Sequence, residues 1–380
     1  HPVYNSHLEA RMSTATVSDR VFNFSAGPAT LPLKVLQEAQ EHLLCLPGVG
    51  ASILEISHRS PPFEAIIGSA EADMRKLLGI SDEFAVLFLQ GGATTQFSMV
   101  PLNFLNKDRS ADYILQGAWS KKAIGEAKKC GNVNIVWDGA SEKFSRVPTQ
   151  EEIKPTPGAA YLHMTSNETI EGIEFHYDPD TGGVPLVCDS SSDFMHRPLN
   201  MKNFSLIYAG AQKNVGPAGA CVVIIRKDLL EQQVAGPHHT MLDFKKMVAG
   251  ASMHNTPPVF TIYILSLVMK WLLNDIGGLD KMHELNQKKA NLLYDYMDAS
   301  GGYYKPHAQK GSRSLMNVTW RMRDEELEKK FIKEAKAARL DGLKGHRDVG
   351  GLRASLYNAF PYEGVEALVG FMKEFVKNNG

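Results

Sequence analysis

The sequence has few cysteines, and none is paired at a spacing that serves metal binding or redox exchange. Its four cysteines lie far apart in 380 residues, and no C-x-x-C motif occurs. We therefore expect buried free thiols in a reducing compartment and predict neither a disulfide framework nor a metal site. The four positions are Cys45, Cys130, Cys188 and Cys221.

An excess of charge and a long uninterrupted apolar run are also missing. The formal net charge is −1 and no basic block occurs, so neither nucleic acid nor an anionic membrane is indicated as a partner. The longest apolar run, residues 260–273, contains Lys270 and is too short to span a bilayer. Phosphorylated or carboxylated small molecules stay compatible, because a few local arginines are enough to bind them.

What is present is an ordinary globular composition, with 43% hydrophobic and 22% charged residues in a chain long enough for two domains. Residues 1–11 contain neither a hydrophobic segment nor an initiator methionine, and we interpret them as left by cloning or processing. We expect residues 1–20 to form an N-terminal extension that is disordered or foreign to the native chain.

Short apolar runs alternate with helical patterns through the first two thirds of the chain. The runs are apolar on both faces, which is typical of parallel strands covered by helices on both sides. We therefore predict an α/β fold on a mostly parallel sheet, with ligands bound at the carboxyl ends of its strands. The predicted strands are residues 85–89, 113–115, 133–137, 160–164, 186–188, 206–208 and 221–225.

From about residue 258 the pattern changes to long amphipathic helices with a core of their own. We predict a smaller α+β domain of residues 21–32 and 284–380, beside a large α/β domain of residues 33–283. The predicted elements are a strand at 316–320 and helices at 260–273, 280–299, 324–338 and 364–376.

One lysine, Lys213, lies in a loop of small residues between two predicted buried strands. Glycines at 210, 216 and 219 let the backbone of this loop pass close to another group. A solvated lysine in a hairpin turn is the ordinary interpretation of such a residue. We favour a buried Schiff-base lysine, whose ammonium pKa is lowered so that the free amine can attack a carbonyl.

Further polar or glycine-rich segments follow other predicted strands. Residues 90–97 join a strand to a helix through Gly91-Gly92 and form either an anion site at the helix N-terminus or an ordinary tight turn. Trp119 is a core aromatic or a ligand contact, Thr169 completes a turn or a site, and Asp189 caps a helix or binds a ligand. Their common place at strand ends favours the functional interpretation.

Two cationic segments contain candidate anion contacts. Residues 343–355 combine His346, Arg347 and Arg353 with three glycines, which describes either a solvated loop or a carboxylate and phosphate site. His58 and Arg59 precede a double proline, where such a pair is most often surface decoration and otherwise an anion contact.

Taken in order, these stretches resemble the phosphoserine aminotransferase family, which comprises class V aminotransferases of fold type I that use pyridoxal 5'-phosphate. The likeness runs from about residue 21 to the end, and its specificity is in the joint match. The matching segments are residues 22–28, 57–59, 88–97, 117–119, 167–170, 209–219, 255–258 and 344–358.

By this resemblance Lys213 forms the Schiff base with the cofactor aldehyde and then moves the proton during transfer. Asp189 would keep the pyridine nitrogen protonated, Trp119 would stack on the ring, and Thr169 would contact its polar edge. The cofactor phosphate would bind at the turn that begins the helix after Gly92, joined by residues of a second subunit. The implied phosphate contacts are Ala93, Thr94 and Gln212, with Asn255 and Thr256 from the second subunit.

The resemblance also implies a homodimer with composite sites and a cytoplasmic location, or an organelle once a targeting peptide is removed. Arg353 would bind the substrate α-carboxylate, and the two His-Arg pairs would bind its phosphate or the glutamate side chain. The implied reaction is reversible amino transfer between L-glutamate and 3-phosphohydroxypyruvate, giving O-phospho-L-serine and 2-oxoglutarate. Those pairs are His58 with Arg59 and His346 with Arg347.

Two positions depart from the family pattern. Asp348 follows the second His-Arg pair where a small or apolar residue is expected, and we expect weaker phosphate binding from it. His254 stands where an aromatic residue is more usual.

The alternatives are another class V enzyme of the alanine–glyoxylate type, a cysteine desulfurase, an inactive relative, or a nucleotide-binding α/β protein. The last lacks both G-x-x-x-x-G-K-[ST] and a complete G-x-G-x-x-G.

Overall fold

A computed structural model of the chain describes residues 19–236, 238–347 and 349–380. The predicted extension therefore lies almost wholly outside the described residues. The helices are α1 (Leu33–Leu44), α2 (Pro61–Leu78), α3 (Ala93–Phe104), α4 (Ala118–Ala127), α5 (Lys227–Glu231), α6 (Phe244–Ala249), α7 (Val259–Trp271), α8 (Leu279–Ala299), α9 (Glu325–Ala337) and α10 (Tyr362–Asn379).

The predicted strands are found at or within a few residues of their expected positions, and the structure adds short strands that the sequence did not indicate. The strands are β1 (Phe22–Asn23), β2 (Phe84–Gln90), β3 (Ser110–Leu115), β4 (Asn132–Asp138), β5 (Leu162–Thr165), β6 (Asn167–Glu168), β7 (Ile173–Glu174), β8 (Leu186–Asp189), β9 (Leu206–Gly210), β10 (Ala220–Arg226), β11 (Lys305–Pro306), β12 (Asn317–Arg321), β13 (Leu340–Asp341) and β14 (Leu352–Ser355).

A seven-stranded sheet in the order β2-β10-β9-β8-β5-β3-β4 forms the centre of the fold. Its neighbouring strands are parallel except at β10, which is antiparallel to both β2 and β9. The reversal follows from the short loop between β9 and β10, since a parallel crossover needs a dozen or more residues. The predicted mostly parallel sheet is thus confirmed.

Both faces of this sheet are buried, as the doubly apolar strands require. One apolar cluster joins α2 and α7 to the first face, and a second joins α3 and α4 to the other. Strands β8 and β9 are buried at every residue. The carboxyl ends of β2, β3, β5, β8 and β9 consequently meet at one edge, where they are held by packing from both sides.

The apolar helix α7 is longer than the sequence predicts. A π-helical turn, Leu272–Ile276, continues it, so the 18 residues Val259–Ile276 reach the length and mean hydropathy (1.5) of a membrane span. The prediction that this run is too short is therefore wrong. Lys270 is exposed, while 56% of the segment is buried and packs against α2. A core helix of a soluble protein meets the same criterion.

The C-terminal part buries an apolar cluster of its own, which includes Phe24 from the N-terminal segment. Strand β1 pairs in parallel with β13, and β11, β12 and β14 form an antiparallel sheet. The domain boundaries drawn at residues 21–32, 33–283 and 284–380 stay a prediction, and this separate core supports them.

A hydrogen-bonded bridge ties the C-terminal part to the lysine loop. The Asn358 backbone N–H donates to Asn214 Oδ1 at 2.8 Å, and Asn214 Nδ2 donates to the Phe194 carbonyl at 2.6 Å. The buried Lys289 Nζ donates to the carbonyls of Leu356 and Tyr357 at 2.8 and 2.7 Å. The residue after Lys213 is thereby fixed from both parts of the chain.

Candidate active site

The candidate residues at the strand ends lie along the edge where the parallel strands finish. Asp189 is the last residue of β8, and Lys213 follows β9 by three residues. Trp119 is in the first turn of α4, after β3, and Thr169 is at the tip of the β6–β7 hairpin, after β5. Parallel strands bring these four side chains to one place although up to 94 residues separate them in sequence.

Lys213 is partly buried, and its amine has one close hydrogen-bond partner. The Nζ atom donates to Thr169 Oγ1 at 2.6 Å and lies 5.2 Å from the centre of the Trp119 ring. Burial lowers the pKa of Lys213 to about 8, against the opposing attraction of Asp189 and Glu168. The free amine is therefore available near neutral pH, as a carbonyl-attacking lysine requires.

The Asp189 carboxylate is buried and held in one orientation. Its Oδ1 accepts hydrogen bonds from the Ser191 backbone N–H at 3.0 Å and the Ser191 hydroxyl at 2.6 Å. Within the described residues no donor bonds to Oδ2. Burial raises the pKa of Asp189, and the positive charge of Lys213 opposes that rise. A buried carboxylate in this state favours a cationic N–H partner on its second oxygen.

The Trp119 ring forms one wall of the site. It contacts Phe97 at a centroid distance of 6.4 Å, and Lys122 Nζ lies 4.2 Å from its centre. The buried Nε1 of Trp119 has no hydrogen-bond partner within the described part of the chain. An unpartnered buried N–H beside a reactive amine is consistent with a ligand that completes the site.

The N-terminus of α3 provides backbone amides at the same edge. Its N-cap is Gly92, which offers no side-chain hydrogen bond, so the Ala93 and Thr94 N–H groups are available to an anion, while the Thr95 N–H donates to the Gly92 carbonyl at 3.0 Å. Gly210 at the end of β9 lies beside this turn, since a Cβ there would be in ordinary contact, at 3.5 Å, with the Ala93 backbone nitrogen. Ala93 and Thr94 thus border the lysine loop, which includes Gln212.

The cationic segment 343–355 reaches the site from the C-terminal part, and its described residues pair with each other as the two arms of a hairpin. A bridge between Lys344 and Leu352 closes the hairpin. Arg353 is partly buried and donates from Nη1 to the Thr169 carbonyl at 3.3 Å. Burial lowers the pKa of Arg353. Arg353 and His346 line a cavity of about 390 Å³, so a carboxylate could enter beside the guanidinium.

Other predicted site residues are not in contact with Lys213 in the described chain. His58 and Arg59 lie before α2, where Arg59 Nε donates to His58 Nε2 at 3.3 Å. Asn255 and Thr256 are exposed and bonded to Gln90, at the end of β2. Arg347 and His254 are also exposed, and Asp348 lies outside the described residues. Their functional roles stay predictions.

Three features of the site were missed from the sequence. Ser191 orients Asp189, and Gly27 lets the N-terminal segment lie on the lysine, since a Cβ there would be 3.3 Å from Lys213 Cγ. Glu168 and Glu171 bond to the first turn of α4. The spacing of the two glutamates on either side of Thr169 was the available signal.

Comparison with known proteins gives one family. The model of the aminotransferase class V family matches residues 21–368. A phosphoserine aminotransferase of Desulfosudis oleivorans is 53% identical over 96% of this chain and all of the relative.

Solved structures agree with this result. The phosphoserine aminotransferase of Bacillus circulans subsp. alkalophilus has a TM-score of 0.92 and 48% identity, covering 95% of this chain and all of its own. A phosphoserine aminotransferase of Trichomonas vaginalis, described as bound to pyridoxal phosphate, has a TM-score of 0.88 and 39% identity, covering 93% and 100%. The resemblance inferred from the sequence is confirmed, and so is the fold type.

The lowered pKa of Lys213 leads to a test of its reactivity. At neutral pH about one Lys213 amine in ten is unprotonated, against roughly one in three thousand for an ordinary lysine. We expect the rate of reductive alkylation of the cofactor-free protein at Lys213 to titrate with a midpoint near pH 8. Asp189→Asn should lower that midpoint, because the carboxylate favours the ammonium.

Peptide mass spectrometry after reaction with a small aldehyde and cyanoborohydride measures this rate. The exposed Lys202 provides the reference in the same sample. A Lys213 rate that rises in parallel with the Lys202 rate up to about pH 10 would contradict the lowered pKa.

Proposed function

The chain belongs to the class V aminotransferases and, within them, to the phosphoserine aminotransferases, and from this premise we propose how it works. It is a pyridoxal-phosphate-dependent aminotransferase that transfers an amino group reversibly between L-glutamate and 3-phosphohydroxypyruvate. The products are O-phospho-L-serine and 2-oxoglutarate, a step of serine biosynthesis. The observation that carries the proposal is a lysine amine of lowered pKa, bonded to Thr169 and attracted by the buried Asp189 carboxylate, in a chain of this family.

The residues at the sheet edge fit pyridoxal phosphate. Both hydrogen bonds to the Asp189 carboxylate are made at Oδ1, so Oδ2 is left for a protonated pyridine nitrogen. The N-terminus of α3, with Ala93 and Thr94, suits the phosphate, since it offers backbone N–H groups without a capping side chain. Lys213 would hold the aldehyde carbon, and Trp119 would cover the ring face. Gln212, the neighbour of Lys213 in the same loop, would join Ala93 and Thr94 at the phosphate.

Bound pyridoxal phosphate supplies a conjugated pyridine ring that accepts the electron pair left when the substrate Cα–H bond breaks. Lys213 Nζ then carries the proton away from Cα, and its hydrogen bond to Thr169 fixes the direction of approach. Asp189 holds the proton on the ring nitrogen. Trp119 excludes water from one side of the ring. Because one site serves both substrates in turn, the reaction follows a double-displacement cycle.

Substrate recognition rests on separate cations for the two acidic ends. Arg353 would bind the α-carboxylate that every substrate has, because its guanidinium lies beside Thr169. His346 and Arg347, at the tip of the same hairpin, would bind the phosphate or the glutamate side chain. A dicarboxylate and a phosphorylated acid can therefore share the site.

We propose a homodimer in which each subunit completes the other's site. Asn255 and Thr256 would join the cofactor phosphate from the second subunit, and His58 with Arg59 would join the substrate phosphate. All four residues are at least partly exposed in their own chain, so they are available to a second subunit. Exposed apolar side chains on α1 and the following loop support the same interface: Leu33, Leu43, Leu44, Val49 and Leu54.

We propose a cytoplasmic location, or an organelle after removal of a targeting peptide, since similar phosphoserine aminotransferases occur in bacteria and, as a chloroplast protein, in Arabidopsis thaliana. The alternatives are less well supported. A nucleotide-binding protein is not compatible with the family membership. An alanine–glyoxylate aminotransferase would have no use for the phosphate contacts at His346 and Arg347. A cysteine desulfurase is less well supported than the phosphoserine aminotransferases that the chain matches at about 50% identity. Of the chain's thiols, Cys188 and Cys221 are buried in strands, whereas Cys45, against the expectation of four buried thiols, is exposed where α1 ends.

The division of labour between the two arginines can be measured with acceptor pairs. We expect Arg347→Ala to raise KM for 3-phosphohydroxypyruvate about 10- to 100-fold, since a charge-assisted contact is worth about 1.5–3 kcal/mol. Its effect on unphosphorylated 2-oxo acids and on cofactor affinity should be small. Arg353→Ala should weaken all of these acceptors alike. Equal losses on phosphorylated and plain acceptors in Arg347→Ala would refute the phosphate role.

The composite site is tested with a mixed dimer. When Lys213→Ala and Arg59→Ala chains are co-expressed with different tags, the doubly tagged dimer has one site with both residues intact. We expect this dimer to regain about half of the wild-type activity per dimer, because a C2 dimer has two equivalent sites. Both parental homodimers are the controls. Activity no higher than that of the controls would place Arg59 and Lys213 of one site in the same chain.

A further inference from the structure

Two buried glutamates, Glu168 and Glu171, bond to the first turn of α4. Glu168 Oε2 accepts from the Trp119 backbone N–H at 3.0 Å, and its Oε1 accepts from the Ser120 N–H at 2.8 Å. Glu171 Oε1 accepts from the Ala118 N–H at 2.9 Å. The two carboxyl groups thus satisfy three of the amides that a helix N-terminus leaves unpaired.

Gly117, the residue before α4, makes room for both carboxyl groups. A Cβ at this position would lie 2.6 Å from Glu168 Cδ and 2.7 Å from Glu171 Oε2. The two acids are therefore packed against the same backbone atom, close enough for their carboxyl groups to interact electrostatically. Their burial leaves them 0% and 6% exposed.

The geometry of the pair fits a state in which Glu168 and Glu171 share one proton better than a state in which both are ionised. Glu171 Oε2 accepts no hydrogen bond from the described residues, which suits an oxygen that donates a proton to the neighbouring carboxylate. Burial raises the pKa of Glu168 as well, but the N–H groups of Trp119 and Ser120 oppose that rise and favour its charged form. Burial, followed by the charge of Glu168, raises the pKa of Glu171 to about 9. Two like charges so close and so deeply buried do not both persist at neutral pH.

We propose that Glu168 and Glu171 act as one positioning unit that shares a single proton, Glu168 as the carboxylate and Glu171 as the carboxylic acid. The unit fixes Trp119 and Thr169 around Lys213, and it keeps one negative charge instead of two beside Arg353. This inference rests on the proposed function for the place of the cofactor ring and the substrate carboxylate.

The charges around the pair define its effect on binding. Asp189 and Lys213 interact electrostatically with Glu168, and Arg353 interacts with Glu171. The cavity that Glu171 lines also contains Lys143, His307, Arg321 and His346. Ionised Glu171 would repel an incoming carboxylate at Arg353 and compete with it for the guanidinium. Deprotonation above about pH 9 should thus weaken substrate binding.

The same proton has a definite effect on stability. The pKa of Glu171 lies above the ordinary 4.5 in the folded protein, so from about pH 4.5 to 9 the folded chain holds a proton that the unfolded chain releases. Stability from this group is therefore present at low pH and lost as pH rises through that window. Glutamine does not titrate, so Glu171→Gln should make the Tm of the cofactor-free protein fall less steeply over the same range.

Glutamine also resembles a protonated glutamic acid. The same substitution is therefore expected to be tolerated at Glu171 and to be harmful at Glu168. We expect Glu171→Gln to keep the pyridoxal phosphate dissociation constant within about twofold of wild type near neutral pH, because its amide can still accept from Ala118 and donate to Glu168. Its KM for L-glutamate should lose the alkaline rise seen in wild type. Glu168→Gln should weaken cofactor binding about tenfold or more, because two amides lose a charged acceptor.

Spectral titration with pyridoxal phosphate, KM against pH and Tm against pH measure these effects, with Glu366→Gln on the exposed side of α10 as control. Three results would overturn the proposal: equal loss of cofactor in both variants, an unchanged pH profile in Glu171→Gln, or an unchanged Tm slope. If Glu168→Gln does not fold, Glu171→Gln still decides. Cofactor affinity and Tm need no turnover, so they stay separate from a failure of the amino-transfer assay.

Discussion

The site depends on the balance between burial and charge at the Lys213 amine. Burial lowers its pKa to about 8, while Asp189 and Glu168 oppose the shift. Without the carboxylates no negative charge would attract the ammonium form of Lys213. Without the burial the amine would stay protonated and unreactive near neutral pH. The 2.6 Å hydrogen bond to Thr169 holds the Lys213 amine in one position, which its flexible side chain alone would not do.

The fold maintains this balance by taking each partner from a different strand. The parallel strands end at one edge of the sheet, so Asp189, Lys213 and the hairpin that contains Thr169 lie together there although they are far apart in the sequence. Packing on both faces of the sheet resists the movement of these ends. The C-terminal part adds Arg353 and the bridge through Asn358 and Asn214, so the substrate arginine and the lysine loop are fixed to the same frame.

Much of this could be predicted from the sequence, because the strands are short doubly apolar runs and the lysine loop is rich in glycine. The antiparallel direction of β10 could not, since an apolar run does not indicate which way a strand points. Lys270 interrupts the apolar run in the sequence, but one exposed lysine on a long apolar helix leaves the buried face of α7 intact. The Glu168–Glu171 pair was hidden for another reason: two glutamates beside a turn usually face solvent, and only tertiary packing buries them. The roles of His58 and Asn255 do not follow from one chain, because the phosphate groups that they are proposed to contact lie in the site of another subunit.

The most direct test of the account is to locate the lysine that binds the cofactor. The protein is incubated with pyridoxal phosphate, reduced with borohydride and digested, and the pyridoxyl peptide is identified by mass spectrometry. The account predicts a yellow protein whose label lies on Lys213, and no label at any lysine of the site in Lys213→Ala. A colourless protein that takes up no pyridoxal phosphate, or a label on a different lysine, would contradict it.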